Sequence, residues 1–368
     1  MRPLLAGAEI YRRSSYGSGH PLAIARVSAT LDLIRALGWC DPDQYRIAPL
    51  ARPDQLAGFH DPAYIRVVQR AEQRQRVPAT DRARHHVGAN GNPIFPEVYR
   101  RPATSSGATL AALDWLAEPG IVYCLPGGTH HAMADRAAGF CYFNDAVLAL
   151  RKALDSGMTR VAYLDLDAHH GDGVEAGIGA DNRALCLSIH EAGRWPYTGA
   201  TLRPPGTRVR NLAVPAGFHD DDLACLVGEV VVPLLAGWAP ELLIVQGGCD
   251  ALSDDPMSGL ALSNRALWAV IGQVTGLAPR VIVTGGGGYN PWAVARCWAG
   301  IWATLAGHPV PDRLPLAAES VLRALTWRHR LGRTPPEHWF TTMADAPNRG
   351  QVCDQVRALI APALDGGP

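Results

Sequence analysis

In the segment Asp165-Leu166-Asp167-Ala168-His169, acidic and imidazole side chains recur at alternate positions. Alternate residues of an extended chain share a face. Asp165, Asp167 and His169 therefore converge on one side of a strand end, where burial is costly without a neutralising cation. Asp250 ends a second apolar run, in QGGCD, and joins the set. Carboxylate oxygens with one imidazole nitrogen suit Zn²⁺, with Fe²⁺ as the alternative ion. Three protein ligands leave positions for water and substrate, the catalytic arrangement. Spacing alone leaves Asp165 and Asp167 interchangeable as ligands.

A third run ends in GGTHHA, carrying His130 and His131. Adjacent histidines there act either as further ligands or as acid and base. Hydrolysis of an amide needs both, at a pKa that imidazole supplies. A histidine in that role needs a carboxylate to fix its tautomer, and Asp165 and Asp172 are the spare carboxylates nearby. A fourth run ends in GGGGY, 285–289. Four glycines let backbone approach a ligand closely. No Lys-Ser/Thr follows and no GxGxxG is present, so a nucleotide-phosphate loop is not supported. Tyr289 is then a hydroxyl placed to polarise a carbonyl or stabilise an oxyanion.

The elements that must position these residues are short and apolar. Segments 121–131, 161–173, 184–193, 242–252 and 280–290 each open with four to six apolar residues and end in Gly, His or Asp. Little polar alternation means strands buried on both faces, as in a parallel sheet. Helical stretches fall between them: 146–154 behind Asn144 as N-cap, 220–238, 264–277, and one starting near Pro291. Alternation of this kind predicts a three-layer α/β fold, a doubly wound, mostly parallel sheet flanked by helices. Such sheets bind ligands beyond the carboxyl ends of their strands, where all the unusual residues lie. Segments 20–38 and 62–76 read as helices and 77–101 as a long surface loop. The Pro- and Arg-rich region after Pro309 gives no clear pattern. With no linker or repeat, residues 1–368 are read as one catalytic domain.

Composition bounds the setting. Lys+Arg and Asp+Glu are each 34, and no basic patch argues for direct nucleic-acid binding. Eight cysteines lack framework spacing, and Cys124, Cys186 and Cys249 sit at apolar runs. That pattern, with no signal-peptide run and no apolar stretch near ~18 residues, predicts a cytoplasmic protein without a membrane span. Oligomeric state is not legible.

With these residues in hand, the chain resembles the histone deacetylase superfamily, zinc deacetylases of the arginase fold that include bacterial acetoin-utilisation-type proteins. The resemblance runs from Tyr16 to Trp298 through YGSGHP with Arg26, NPIFPEVY, GGTHHA, GFCYFND, DLDAHHGDG, SIH, QGGCDAL and GGGGYNPWAVARCW. It implies zinc-dependent hydrolysis of an acyl-amide, with acyl-lysine or a small acylated amine such as an acetylpolyamine as substrate. It separates the two aspartates: Asp167, His169 and Asp250 as metal ligands, Asp165 and Asp172 as partners of His130 and His131. It makes His131 the base and later acid, His130 an electrostatic partner, and Tyr289 the donor to the carbonyl. It also implies a structural K⁺ near Asp165, Asp167, His169 and Ser188. Gly139, Phe140 and Trp195 would wall an acyl-lysine tunnel, and Arg26 would line the cavity beneath the metal.

Two departures bear on the substrate. Gly91 occupies the place where many protein deacetylases carry an aspartate that grips substrate backbone. RWPYTG, 194–199, has Trp195 for the usual phenylalanine and Tyr197 for a glycine, so the pair is expected to narrow or reshape the entrance. A binuclear ureohydrolase would need a further carboxylate where Leu252 stands. A non-enzymatic protein that binds acyl-lysine or a metabolite would not need the complete catalytic set.

Overall fold

The computed structural model describes residues 2–367. Eight strands form one sheet: β1 (Leu4–Gly7), β2 (Tyr45–Ile47), β3 (Gly120–Cys124), β4 (Val161–Asp165), β5 (Ala184–Glu191), β6 (Val209–Val214), β7 (Leu242–Gln246) and β8 (Arg280–Thr284). Their order is β2-β1-β3-β8-β7-β4-β5-β6, and every pairing is parallel. The sheet is thus wholly, not mostly, parallel. β4, β5 and β7 are buried along their whole length, which explains their unbroken apolar runs.

The order brings β3, β8, β7, β4 and β5 side by side, and their register sets one row across the sheet: Cys124, Thr284, Gln246, Asp165, Ser188. Every candidate group from 128 to 289 lies on or just beyond that row, at the carboxyl ends. Helices Arg100–Trp115, Asp145–Asp155, Asn264–Val274 and Pro291–Ala306 cover the faces. The last is buried almost throughout, with Trp298 donating its indole N–H to the Gly247 carbonyl at 3.0 Å. A second apolar cluster, built on Tyr64, Val68, Phe95, Tyr142 and Phe143, sits under the segment carrying Gly139 and Phe140.

The reading of the helices needs two corrections, and the region left without a pattern gains its elements. Segment 20–38 is a 3₁₀ turn, Pro21–Ala23, followed by a helix only at Val27–Ala36. The supposed loop 77–101 contains the helix Ala79–His85 and buries Val77, Val87, Phe95 and Val98. The C-terminal region forms helices Leu316–Arg323, His338–Thr341 and Asp354–Leu364. The helical run 220–238 widens into a π turn at Val227–Val231, next to Pro233, which has no N–H to place in a regular ladder. All eight cysteines are free, and Cys124, Cys186 and Cys249 are buried. Among the described residues no helix is long and apolar enough to cross a membrane.

Candidate metal centre and active site

Asp167, His169 and Asp250 offer ligand atoms within 4.8 Å of one another, all buried, the one such cluster among the described residues. His169 Nδ1 lies 2.9 Å from Asp250 Oδ2 and 3.2 Å from Asp167 Oδ1. Burial opposes charge on His169, but Asp250 and Asp167 outweigh it and hold the imidazole up at about 11. Burial and the neighbouring Asp167 push the Asp250 carboxyl up. Burial acts the same way on Asp167, but His130, His169 and the Gly287 N–H together hold that carboxyl low. Two buried carboxylates facing one imidazole are a strongly anionic donor set, and they fit a divalent cation. The glycine loop 285–288 makes room for it. A Cβ on Gly287 would stand 2.0 Å from Asp250 Oδ2, while its N–H donates to Asp167 Oδ2 at 2.6 Å.

The histidine pair stands beside this triad with ring centroids 3.8 Å apart. His130 Nδ1 lies 2.8 Å from Asp165 Oδ2, and His131 Nδ1 lies 2.7 Å from Asp172 Oδ1. Their protonation diverges. Burial and then charge on His130 lower His131 to about 4. Burial acts the same way on His130, but Asp165 and Asp167 outweigh it and raise the group to about 9. Neighbouring titratable groups pushed apart in this way divide acid and base roles.

Tyr289 is buried, its backbone N–H held at 2.6 Å by Asp255 Oδ2. Burial, with Asp250 and Asp167, pushes the phenol well above its usual range, so it stays a donor. His130, His131, Asp167, His169, Gly139, Phe140, Arg26 and Tyr289 line one narrow space of about 50 Å³. Arg26 Nη1 also donates to the Gly286 carbonyl at 2.7 Å, bracing the loop that carries Tyr289. Ser188 sits opposite Asp165 on the next strand, and its Oγ lies 2.9 Å from His190 Nδ1.

At the mouth, the Trp195 ring packs edge-on against His131, centroids 4.6 Å apart. Tyr197, by contrast, is 75% exposed. Of the pair, Trp195 is the one whose ring packs on the site's histidines, against His131 and, at 6.2 Å, His169. Gly91 adopts φ +78°, and a Cβ there would lie 2.8 Å from the Phe140 ring. This position has no room for a side chain, and its carbonyl lies 2.9 Å from His20 Nε2.

Sequence reasoning read Asn144 as a helix N-cap but missed its hold on the histidine segment, and it missed two contributors outright. Asn144 caps its helix through Val147 N, and its Nδ2 also donates to the His130 and Ala132 carbonyls. His60 Nε2 accepts the Asn144 N–H at 2.9 Å, while its Nδ1 faces the Met133 carbonyl at 3.0 Å. Asp255, raised to about 8 by burial and then by Asp250, fixes the Tyr289 backbone. A polar residue at a helix start hinted at Asn144. Nothing local marked the other two.

The model of the histone deacetylase domain matches residues 20–305. The acetoin utilization protein AcuC of Bacillus subtilis is 30% identical over 320 residues, covering 82% of each chain. Histone deacetylase 8 of Xenopus laevis is 31% identical over 274 residues, covering 72% of this chain and 84% of the relative. The crystal structure of an HDAC homolog from Aquifex aeolicus superposes with a TM-score of 0.94 at 28% identity, covering 99% of this chain and 100% of the other. An HDAC homolog complexed with SAHA superposes at 0.92 and 29% identity with the same coverage. The α/β sheet expected from the strand pattern is present, in the arginase/deacetylase architecture that the resemblance implied, and the chain belongs to the histone deacetylase family.

Proposed function

We propose that the protein hydrolyses an acyl-amide, releasing a carboxylate and a free amine from an acyl-lysine or a small acylated amine, with Zn²⁺ held by Asp167, His169 and Asp250. The observation that carries this reading is one narrow space lined by Asp167 and His169 of the buried anionic triad, by His131, whose Nδ1 is held by Asp172, and by Tyr289. Family membership supports the reaction class.

A divalent cation in the triad supplies Lewis acidity, polarising the acyl carbonyl and lowering the pKa of a water. The residues of the chain do the rest. His131, neutral at pH 7, has Nδ1 committed to Asp172, which leaves Nε2 to take the proton of the attacking water. The same nitrogen delivers that proton to the leaving amine as the C–N bond breaks. His130, bonded through Nδ1 to Asp165, is read as the electrostatic partner of His131 beside the developing oxyanion. Tyr289 donates its O–H to that oxyanion. Phe140 and Trp195 keep water from the acyl chain. A structural K⁺ is read at Asp165, Asp167, His169 and Ser188, with the hydroxyl of Ser188 already engaged by His190.

A panel of acetyl-lysine peptides, acetylpolyamines and longer acyl-lysines, assayed with and without chelator, tests this function. Chelator-sensitive release of a carboxylate from at least one of them is expected. An intact, zinc-loaded protein that turns over none would favour a binding protein instead.

A further inference from the structure

A second, larger cavity of about 490 Å³ adjoins the catalytic space and shares Tyr289 with it. One wall comes from the segment after Pro309, through Trp327, Arg328 and His329, and the facing wall from Ser15, Ser18 and Met257. No aspartate or glutamate lines it among the described residues. Arg328 is exposed and no acidic group pairs with it. The wall is fixed, because Trp327 stacks on His329 at 4.5 Å and meets Trp292 edge-on at 6.1 Å. His20 also lines the cavity, but both its ring nitrogens are taken, by the Gly91 carbonyl and the Leu22 N–H. His329 is stacked on Trp327, with its Nδ1 accepting the Leu331 N–H, so the permanently charged group of the lining is Arg328, and Ser15 and Ser18 line the same cavity. On the rim, Gly91 has no room for a side chain that would grip a peptide backbone.

The geometry points to a carboxylate subsite at Arg328, used by a substrate whose acylated amine enters past Tyr289 while its other end stays in this cavity. That substrate is an Nε-acylated free amino acid bound through its α-carboxylate, and the same cation disfavours an acylated polyamine, whose far end is cationic. This rests on the amide-hydrolysis reading for the reaction and on the Arg328 wall for the choice of substrate. An exposed guanidinium meeting a carboxylate gives a preference of about two- to fivefold.

The test compares free Nε-acetyl-lysine with its α-carboxamide, which differs only in the charged group. Both kcat/KM and, by calorimetry on the zinc-loaded protein, binding are measured. The wild-type protein is expected to prefer the acid in both, and Arg328→Gln to bring the acid down to the amide's value. Arg328→Lys should keep part of the preference. Equal binding of acid and amide by the wild-type protein overturns the subsite, as does an Arg328→Gln variant that keeps the preference. A binding preference that depends on Arg328, without turnover of either compound or of any member of the acyl-amide panel, would instead refute the hydrolysis reading and leave the carboxylate subsite standing.

Discussion

Gly139 shows how tightly the tunnel is built around His131. Its φ is +52°, and a Cβ added there would lie 2.4 Å from His131 Cδ2 and 2.5 Å from Trp195 Cη2. Carbon atoms settle at about 3.5–4.0 Å, so Gly139→Ala must open about 1 Å against both rings. Both rings are rigid and already in contact with each other. A misplacement of ~1 Å at a catalytic group costs on the order of 10²-fold in rate. Alanine in left-handed backbone costs a further ~1–2 kcal/mol of stability. Gly193→Ala is the matched control, since φ there is +70° with no atom within 4 Å. Both variants should lose stability in thermal denaturation, Gly139→Ala by the larger amount because of its clash, while only Gly139→Ala should lose about 10²-fold in kcat on an acylated substrate. Comparable kcat values for the two would show that the space around His131 is not the constraint it is taken to be.

Further outcomes follow from the same contacts. Tyr289→Phe removes the phenol proposed to donate to the oxyanion, and kcat should fall by about 10²-fold or more, read in steady-state kinetics. Asp172→Asn leaves His131 without an anionic partner for Nδ1, so kcat should drop by about 10²- to 10⁴-fold with the fold intact by circular dichroism. His60 accepts the Asn144 N–H, and burial holds its pKa at about 4 against an ordinary 6.5. The unfolded chain therefore takes up this proton first as pH falls, and stability is lost between about pH 6.5 and pH 4, by on the order of 3 kcal/mol. His60→Gln, which keeps a donor and an acceptor but binds no proton, should flatten that loss in denaturant titrations at pH 7 and pH 5.

The site was more legible in the sequence than the fold around it. Asp165, Asp167, His169, Asp250, the histidine pair and Tyr289 all sit at ends of apolar runs, and a parallel sheet gathers such ends. The runs on β3, β4, β5, β7 and β8 are long enough to read because both faces are buried. β1 and β2 are only four and three residues long. β6 is interrupted by Arg210 and Asn211, and the Arg210 guanidinium is satisfied by the Ala363 carbonyl, 153 positions away. No local pattern encodes such a contact. The same holds for His60, whose part depends on Asn144 and Met133, and for Asp255, whose part depends on the Tyr289 backbone. Arg328 lies in the region without clear pattern, and only the folded C-terminal segment brings it to the mouth.

The most direct test is stoichiometric restoration. Chelator-treated protein is titrated with Zn²⁺ while turnover of an accepted acyl-amide is followed, alongside Asp250→Asn. Activity should rise linearly to one equivalent of Zn²⁺ and stop there, with no comparable recovery in the variant. Activity that survives chelation, or that climbs to two equivalents as in a binuclear centre, would contradict a single metal held by Asp167, His169 and Asp250.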